Sequence, residues 1–455
     1  MPASWMEYLH EHRNRFVDEY LDLLRIPSIS TDPAARGEVR RAAEWTADRL
    51  RRAGIEGVGI LETAGHPAVY GEWLGAPGRP TILFYGHFDV QPVDPLHLWT
   101  DPPFEPVVKD GKVYARGATD MKGNILLPII ACEALLQTEG SLPVNVKFLL
   151  EGEEEIGSPN LAPVIEANKE LLACDLMVSA DGGNGSEEEP VVGLGPRGLV
   201  GLQINLRTAN TDLHSGGGGA AVNPIHALVR LLDSMRDSEG RITVDGFYEK
   251  VQPITEQDRA EIAAGSMDVE QFLARTGTRA FFGEPEYTPA ERVASRPTLE
   301  VNGIWGGFSG EGVKTVIPCE AHAKITCRLV PNQTPGEIRE KLKAHIARHT
   351  PAYAEATVED LPGEADPYLI PADHPARQAL IRVITALTGK APKTTRGGGT
   401  VPVMGMFKRI LGVETITLGG SQNDERAHAP DEFYRLTSFE RAQKAFCMLM
   451  HELAK

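Results

Sequence analysis

The sequence contains few cysteines, no excess of basic residues and no long apolar run. Its 455 residues include 5 cysteines without a Cys-x-x-Cys pair, which argues against a disulfide framework or a thiolate zinc site. Reduced cysteines are typical of cytoplasmic proteins, so we expect that location. No stretch approaches the ~20 apolar residues of a membrane span. The first residues carry charges of both signs and no apolar run, so we expect no signal peptide.

Acidic residues outnumber basic ones, with 63 Asp and Glu against 46 Lys and Arg and a net charge of −17. This sign disfavours binding to nucleic acid or to an anionic membrane surface, so we expect neither partner. It is compatible with cation binding and equally with simple solubility. The length corresponds to about three domain-sized units or fewer large ones. Such a chain buries a core without disulfides or a structural metal.

Apolar runs that alternate with helical patterns predict an α/β architecture. Buried strands are predicted at 81–85, 144–150, 176–180 and 413–418. Helices are predicted at 5–25, 37–53, 122–138, 375–388 and 437–453. Between these two α/β parts, alternating strands and amphipathic helices predict an α+β unit, although the pattern at 240–312 defines no clear elements. We therefore predict an α/β domain, 1–196 and 366–455, interrupted by a smaller domain, 197–365.

Polar side chains collect where the predicted strands end, which is where α/β sheets bind ligands. They are His87, Asp89, Asp120, Glu154, Glu155, Asp181 and His428. Imidazole and carboxylate without thiolate is the ligand set of hydrolytic zinc or manganese sites, and two cations can share one carboxylate. Each residue also has a structural interpretation: Asp120, for example, could cap a helix. Their joint occurrence in one predicted sheet favours a metal centre.

Three segments resemble the M20 family of metallopeptidases and occur in the family's order. They read GHFDVQP at 86–92, RGATDMKG at 116–123 and EGEEEIGS at 151–158. The family includes carnosinase-type dipeptidases, aminoacylase and acetylornithine deacetylase. The resemblance covers nearly the whole chain, with minor departures such as Gln91, where many members have valine. It implies a catalytic domain with a mixed, mostly parallel sheet and an inserted α+β lid that carries a homodimer contact.

The resemblance also implies two divalent metal ions, with zinc first and manganese or cobalt as alternatives. His87 and Asp181 match the ligands of one metal, and Glu155 and His428 match those of the other. Asp120 matches the carboxylate that bridges both ions.

Two further carboxylates match residues that act beside the metals. The family form Glu-Glu-x-Gly-Ser places the general base first and the ligand second. That register makes Glu154 the base that acts on a metal-bridged water and leaves Glu153 as a neighbour. Asp89 matches the carboxylate that orients the imidazole of His87.

Five positions match substrate-contacting residues, and each has a structural alternative. His214 resembles a lid histidine that donates to the oxyanion, often in the partner subunit, but it could organise the following glycine turn. Arg328 resembles the arginine that pairs with the substrate carboxylate, or it forms an ion pair within the fold. Gly399 and Thr400 belong to a loop that binds the same carboxylate or simply opens a helix. His374 is a further candidate, with turn formation as its alternative.

We therefore predict a metal-dependent hydrolase that cleaves the amide bond of dipeptides or short peptides. The length of the inserted domain resembles the carnosinase-type dipeptidases. An N-acyl amino acid deacylase is the alternative within the same family. A third hypothesis is a non-catalytic binding protein on the same fold. Such a protein would lack a metal ligand or the general base, but in this sequence every motif position is filled.

Overall fold

The computed structural model describes residues 4–265, 269–397, 399 and 401–455. They form two compact units, the first within Met1–Leu194, Ile370–Thr394 and Met406–Lys455 and the second within Gly195–Leu369 and Thr395–Gly405. The segment 395–405 thus differs from the predicted division, which placed it in the catalytic domain. The reason is local pairing: Gly397 N–H donates to Gly195 O and Arg197 N–H donates to Gly399 O, each at 3.0 Å.

The strands and helices have the following bounds. The strands are β1 (Glu56–Leu61), β2 (Ala68–Trp73), β3 (Thr81–His87), β4 (Val107–Lys109), β5 (Lys112–Tyr114), β6 (Asn145–Glu151), β7 (Leu176–Ser179), β8 (Val191–Gly193), β9 (Gly198–Arg207), β10 (Leu213–His214), β11 (Glu300–Gly306), β12 (Val316–Ile317), β13 (Glu320–Leu329), β14 (Glu355–Asp360), β15 (Lys393–Thr395), β16 (Glu414–Thr417) and β17 (Phe433–Arg435). The helices are α1 (Trp5–Glu11), α2 (Arg13–Leu24), α3 (Arg36–Arg52), α4 (Gly123–Glu139), α5 (Leu161–Ala167), α6 (Lys169–Leu172), α7 (Pro224–Asp233), α8 (Glu256–Ala264), α9 (Val269–Thr276), α10 (Pro289–Ser295), α11 (Pro335–His349), α12 (Pro375–Thr388), α13 (Pro402–Leu411) and α14 (Leu436–Leu453).

The first unit is built on a six-stranded sheet with the order β1-β2-β6-β3-β7-β16. Strands β6, β3, β7 and β16 run parallel, whereas β1 and β2 pair antiparallel at one edge. Every residue of β6 is buried, as expected for a parallel strand covered on both faces. This sheet confirms the predicted mixed, mostly parallel architecture, and its parallel strands all end at the same edge.

The second unit contains a four-stranded sheet with the order β11-β13-β9-β14, antiparallel throughout. Strand β13 alternates buried and accessible residues, so one face of the sheet packs on α7 and α11. The predicted α+β character is confirmed. The region 240–312 contains α8, α9, α10 and β11; these helices are short, and capping boxes at Thr255 and Thr288 begin two of them.

The described residues were compared with two expectations from composition, the lack of a membrane span and the lack of disulfides. None of their helices is both long enough and apolar enough to cross a membrane. All five cysteines lie among the described residues, and each is unpaired.

Candidate metal centre

The predicted ligands follow neighbouring parallel strands of the first unit. His87 is the last residue of β3, Asp181 lies two residues after β7, and Glu154 and Glu155 follow β6. His428 lies in the segment between β16 and β17. Because parallel strands end at one edge of the sheet, residues far apart in sequence meet there.

The structure brings five of these side chains into two groups that share one member. Ligand atoms of His87, Asp120 and Asp181 lie within 4.8 Å of one another, and so do those of Asp120, Glu155 and His428. Asp120 turns one carboxylate oxygen to each side: Oδ1 is 3.3 Å from His87 Nε2, and Oδ2 is 2.9 Å from His428 Nε2. A carboxylate with one oxygen facing each group has the arrangement that a bridging ligand requires.

A buried glutamate holds the backbone that carries Asp120. The short helical turn Ala118–Lys122 is distorted at Asp120, where φ is −124° and ψ is 95°. Glu432 Oε1 accepts hydrogen bonds from the N–H groups of Thr119 at 2.9 Å and Asp120 at 3.1 Å. Its Oε2 accepts from Gly117 N–H at 2.9 Å and forms a 2.7 Å ion pair with Arg116. Both charged side chains are buried, so this pair fixes the loop from inside the protein.

Asp89 connects His87 to the acidic turn that follows β6. Its Oδ1 lies 3.3 Å from His87 Nδ1, which leaves Nε2 of the ring directed at Asp120. Its two oxygens accept hydrogen bonds from the N–H groups of Glu154 at 3.3 Å and Glu155 at 3.1 Å. One buried carboxylate therefore orients the imidazole and positions the two glutamates together.

The structure distinguishes the three consecutive glutamates of that turn. Glu153 is buried and accepts hydrogen bonds from His66 N–H at 2.8 Å and from Asn160 Nδ2 at 2.9 Å. Glu154 Oε2 lies 3.9 Å from His87 Nε2, and Glu155 Oε2 lies 3.2 Å from His428 Nε2. Glu153 thus supports the fold, and the next two residues face the centre.

Glycines allow the strand-end loops to approach closely. A Cβ on Gly183 would lie 1.7 Å from the carbonyl oxygen of Ser421, so the loop after Asp181 packs on the segment that leads to His428. Asn124 joins the same loops, since its Nδ2 donates to Gly182 O at 2.9 Å and its Oδ1 accepts from Gly420 N–H at 3.0 Å. The backbone of His428 adopts the left-handed region with φ at 62°, uncommon for a residue with a side chain.

Burial raises the pKa values of two carboxylates of the centre, whereas contacts with histidines lower the pKa of a third. Burial raises the pKa of Glu154 to about 8; His87 opposes the shift, and Asp181 and Glu155 add to it. Burial and the charge on Asp120 raise the pKa of Asp181 to about 6. For Asp120, burial is outweighed by the imidazoles of His428 and His87 that face its two oxygens, and they hold its pKa below the usual range. The centre therefore takes up positive charge readily.

These residues fit divalent cations. His87 is fully buried, and its Nε2 forms no well-directed hydrogen bond to any described residue, although it faces Asp120 and Glu154. An unsatisfied buried nitrogen is costly unless a ligand occupies it. Imidazole nitrogen with several carboxylate oxygens is a donor set that Zn²⁺ and Mn²⁺ accept.

The remaining predicted residues are the candidate substrate contacts. His214, Arg328 and Gly399 lie in the second unit, and Thr400 lies outside the described residues. His214 Nδ1 accepts a hydrogen bond from Gly216 N–H at 2.9 Å, in agreement with the turn-forming alternative. His374 is in the first unit and caps the start of α12. Its Nδ1 accepts a hydrogen bond from Ala376 N–H at 3.2 Å.

Sequence reasoning missed the residues that support the ligands. Glu432 and Asn124 touch the ligand loops from elsewhere in the chain. Glu425 accepts a 2.7 Å hydrogen bond from Thr119 Oγ1 beside Asp120. Glu425 and Glu432 are buried acids in the segment that carries His428, and the sequence pattern does not show that burial.

The chain matches the model of peptidase family M20/M25/M40 over residues 83–452. It therefore belongs to this family of peptidases. Among curated proteins it is 30% identical to human Beta-Ala-His dipeptidase, covering 99% of this chain and 92% of that protein. It is 28% identical to the Cys-Gly metallodipeptidase dug1 of Schizosaccharomyces pombe, covering 98% and 97%.

Solved structures give the same family. An M20 family metallo-carboxypeptidase from Sulfolobus solfataricus has a TM-score of 0.83 and 32% identity, covering 96% of this chain and 99% of that one. Human carnosine dipeptidase 1 has a TM-score of 0.75 and 30% identity, with 100% of both chains covered. The resemblance noted in the sequence motifs is confirmed.

The buried pair of Glu432 and Arg116 generates a prediction about stability. We expect Glu432→Gln to lower the free energy of unfolding of the metal-free protein by about 3–5 kcal/mol, because Arg116 keeps a buried charge without its partner. Urea denaturation followed by circular dichroism measures this. Glu440→Gln, on the exposed face of α14, is the control and should change stability by less than about 0.5 kcal/mol. Equal effects of the two variants would contradict the role given to Glu432.

Proposed function

We propose that this chain is a metal-dependent hydrolase that cleaves the amide bond of dipeptides or short peptides. The observation that carries the proposal is the pair of ligand groups that share Asp120, with the carboxylate of Glu154 beside them. Relatives over nearly the full length of the chain are named Beta-Ala-His dipeptidase and Cys-Gly metallodipeptidase, which supports dipeptides as the substrate class.

Five side chains would hold the metals in this proposal. His87 and Asp181 would hold one ion, Glu155 and His428 would hold the other, and Asp120 would contribute to both. We propose zinc for both ions, with manganese or cobalt as alternatives, because this donor set accepts all three. When bound, two divalent cations acidify a shared water and stabilise negative charge on the substrate carbonyl oxygen.

Glu154 has the position and environment of a general base. In the proposed reaction it accepts a proton from the attacking water and delivers it to the leaving amine nitrogen as the C–O bond forms and the C–N bond breaks. Desolvation makes its carboxylate more basic than an exposed glutamate. Asp89 assists by keeping the ring of His87 in one orientation.

The residues proposed to contact the substrate are inferred from the resemblance to the family. In the proposal, Arg328, Gly399 and Thr400 bind the carboxylate of the substrate, and His374 is a further candidate. A guanidinium suits this task because it donates two parallel hydrogen bonds to a carboxylate. His214 would donate to the carbonyl oxygen, either in its own chain or across a dimer.

A substrate screen tests the proposed reaction against its alternatives. Free dipeptides, longer peptides and N-acyl amino acids are assayed side by side with protein reconstituted with zinc, manganese or cobalt. We expect the highest kcat/KM for dipeptides. Preference for N-acyl amino acids would assign the chain to the deacylases, and preference for longer peptides would match the relative described as a carboxypeptidase. Binding without hydrolysis would favour a non-catalytic protein.

The variant Glu154→Gln tests whether Glu154 is the general base. We expect this variant to retain two metal ions per chain, since Glu154 is not among the proposed ligands, and to lose kcat by roughly 10²- to 10⁴-fold because the proton acceptor is gone. Metal content measured by plasma mass spectrometry and kcat measured on the best dipeptide check both expectations. Turnover close to wild type in a metal-loaded Glu154→Gln protein would overturn the assignment.

Glu153→Gln is the matched control for this experiment. Glu153 carries the same functional group one residue earlier, but it bonds to His66 and Asn160. We expect lower stability and a kcat within a few-fold of wild type. A larger loss of kcat in Glu153→Gln than in Glu154→Gln would reverse the register of base and ligand.

We also propose a homodimer that forms through the second unit. Strand β11 is an edge of the four-stranded sheet, and Val301, Ile304 and Trp305 are exposed on it. Exposed apolar side chains on a sheet edge are typical of interaction surfaces. A second copy is the occupant implied by the family resemblance, and a two-fold axis would place the same surface on both subunits.

Sedimentation equilibrium tests the dimer. We expect wild-type protein at twice the chain mass of 49.5 kDa, and Ile304→Glu at the monomer mass because a charge replaces a residue that is 50% exposed in the single chain. Leu98→Glu, at a 56% exposed position of the first unit, should remain dimeric. Monomeric and fully active wild-type protein would contradict both the dimer and the role of His214 across it.

A cytoplasmic location completes the proposal. The five unpaired cysteines support it, since oxidising compartments favour disulfides. Fractionation of cells that express the full chain tests this expectation.

A further inference from the structure

Gln91 continues a pattern of alternate polar residues that begins at the end of β3. His87, Asp89 and Gln91 are two residues apart, and alternate residues of an extended chain point to the same side. The chain stays extended here because Val90 N–H donates to Ser28 O at 3.0 Å and Val90 bridges to Ile29. Gln91 therefore shares the side that carries His87 and Asp89.

The amide of Gln91 binds Glu155 at two points. Its Nε2 donates to Glu155 Oε2 at 2.9 Å and to the carbonyl oxygen of the same residue at 3.2 Å. The same Oε2 lies 3.2 Å from His428 Nε2. The side chain of Glu155 is only 2% exposed, so Gln91 takes the place that water would have at a surface carboxylate.

We infer that Gln91 is a positioning residue for the cation bound by Glu155 and His428. The inference rests on the proposed metal centre and deepens it. An amide offers two hydrogens on one nitrogen, so it fixes both the backbone and the carboxylate of Glu155. It carries no charge, so it holds the ligand without reducing the negative charge that attracts a cation. Valine, which many family members have at this position, has no donor.

The support is confined to one of the two ligand groups. His87 is oriented by Asp89, and the N–H of Asp181 donates to Ser179 Oγ at 3.3 Å. The side-chain amide of Gln91 donates to Glu155 and not to His87 or Asp181. Loss of the amide should therefore weaken the cation at Glu155 and His428 and leave the cation at His87 and Asp181 unchanged.

Cobalt(II) titration of the metal-free full chain tests this, with calorimetry for affinity and visible absorption for coordination. We expect two binding events in wild type. Gln91→Met has similar length without a donor, and it should weaken one event by about 10- to 100-fold, the usual effect of losing a partner of a metal ligand. His428→Ala identifies the event, because the event that it abolishes should be the one that Gln91→Met weakens.

Asn160→Leu is the matched control. It removes an amide that donates to Glu153, a residue outside both ligand groups. We expect both cobalt affinities to match wild type in this variant, even if its melting temperature falls. Gln91→Leu provides a second substitution in case Gln91→Met does not fold.

The outcomes separate this inference from the proposed function. Unchanged cobalt affinities in folded Gln91→Met and Gln91→Leu, or equal weakening of both events, would overturn the role of Gln91 while the metal centre stands. Absence of cobalt binding by the wild-type chain would overturn the metal centre itself.

Discussion

Repulsion among crowded carboxylates is the constraint on which this site depends. Asp89, Asp120, Glu154, Glu155 and Asp181 converge on two histidines at one edge of the sheet. Their low-dielectric surroundings make each negative charge costly, which appears as the raised pKa values of Glu154 and Asp181. Protons relieve part of this cost in the metal-free protein. Two divalent cations would offset four of these five charges while leaving Glu154 ionised for catalysis, which joins the electrostatics of the site to the proposed chemistry.

The protein holds these charges in place with groups that lie outside the ligand set. Backbone N–H groups bind Asp89 and Glu432, so each of these buried carboxylates fixes a loop instead of relaxing away from its neighbours. Arg116 pairs with the buried Glu432. Gln91 performs the corresponding task for Glu155 with a neutral amide. These contacts keep the side chains of each group facing one another.

The side chains of the candidate centre could be picked out from sequence because they lie in short segments next to strong strand patterns. The supporting residues could not, since Glu432 meets Asp120 from 312 positions away and no local pattern encodes that contact. The helix predicted at 5–25 breaks at His12, whose backbone leaves the helical region although the apolar spacing continues. The segment 395–405 joins the second unit through backbone pairing that periodicity does not reveal. Gln91 was visible as a departure from the family pattern, and its role emerged only from its contact with Glu155.

The central claim is that Asp120 joins two cation sites within this cluster. Crystals of the zinc-loaded protein, measured at the zinc absorption edge, test it most directly. The account predicts two anomalous peaks per chain, one among His87, Asp120 and Asp181 and the other among Asp120, Glu155 and His428. A single peak, or peaks that do not share Asp120, would contradict it.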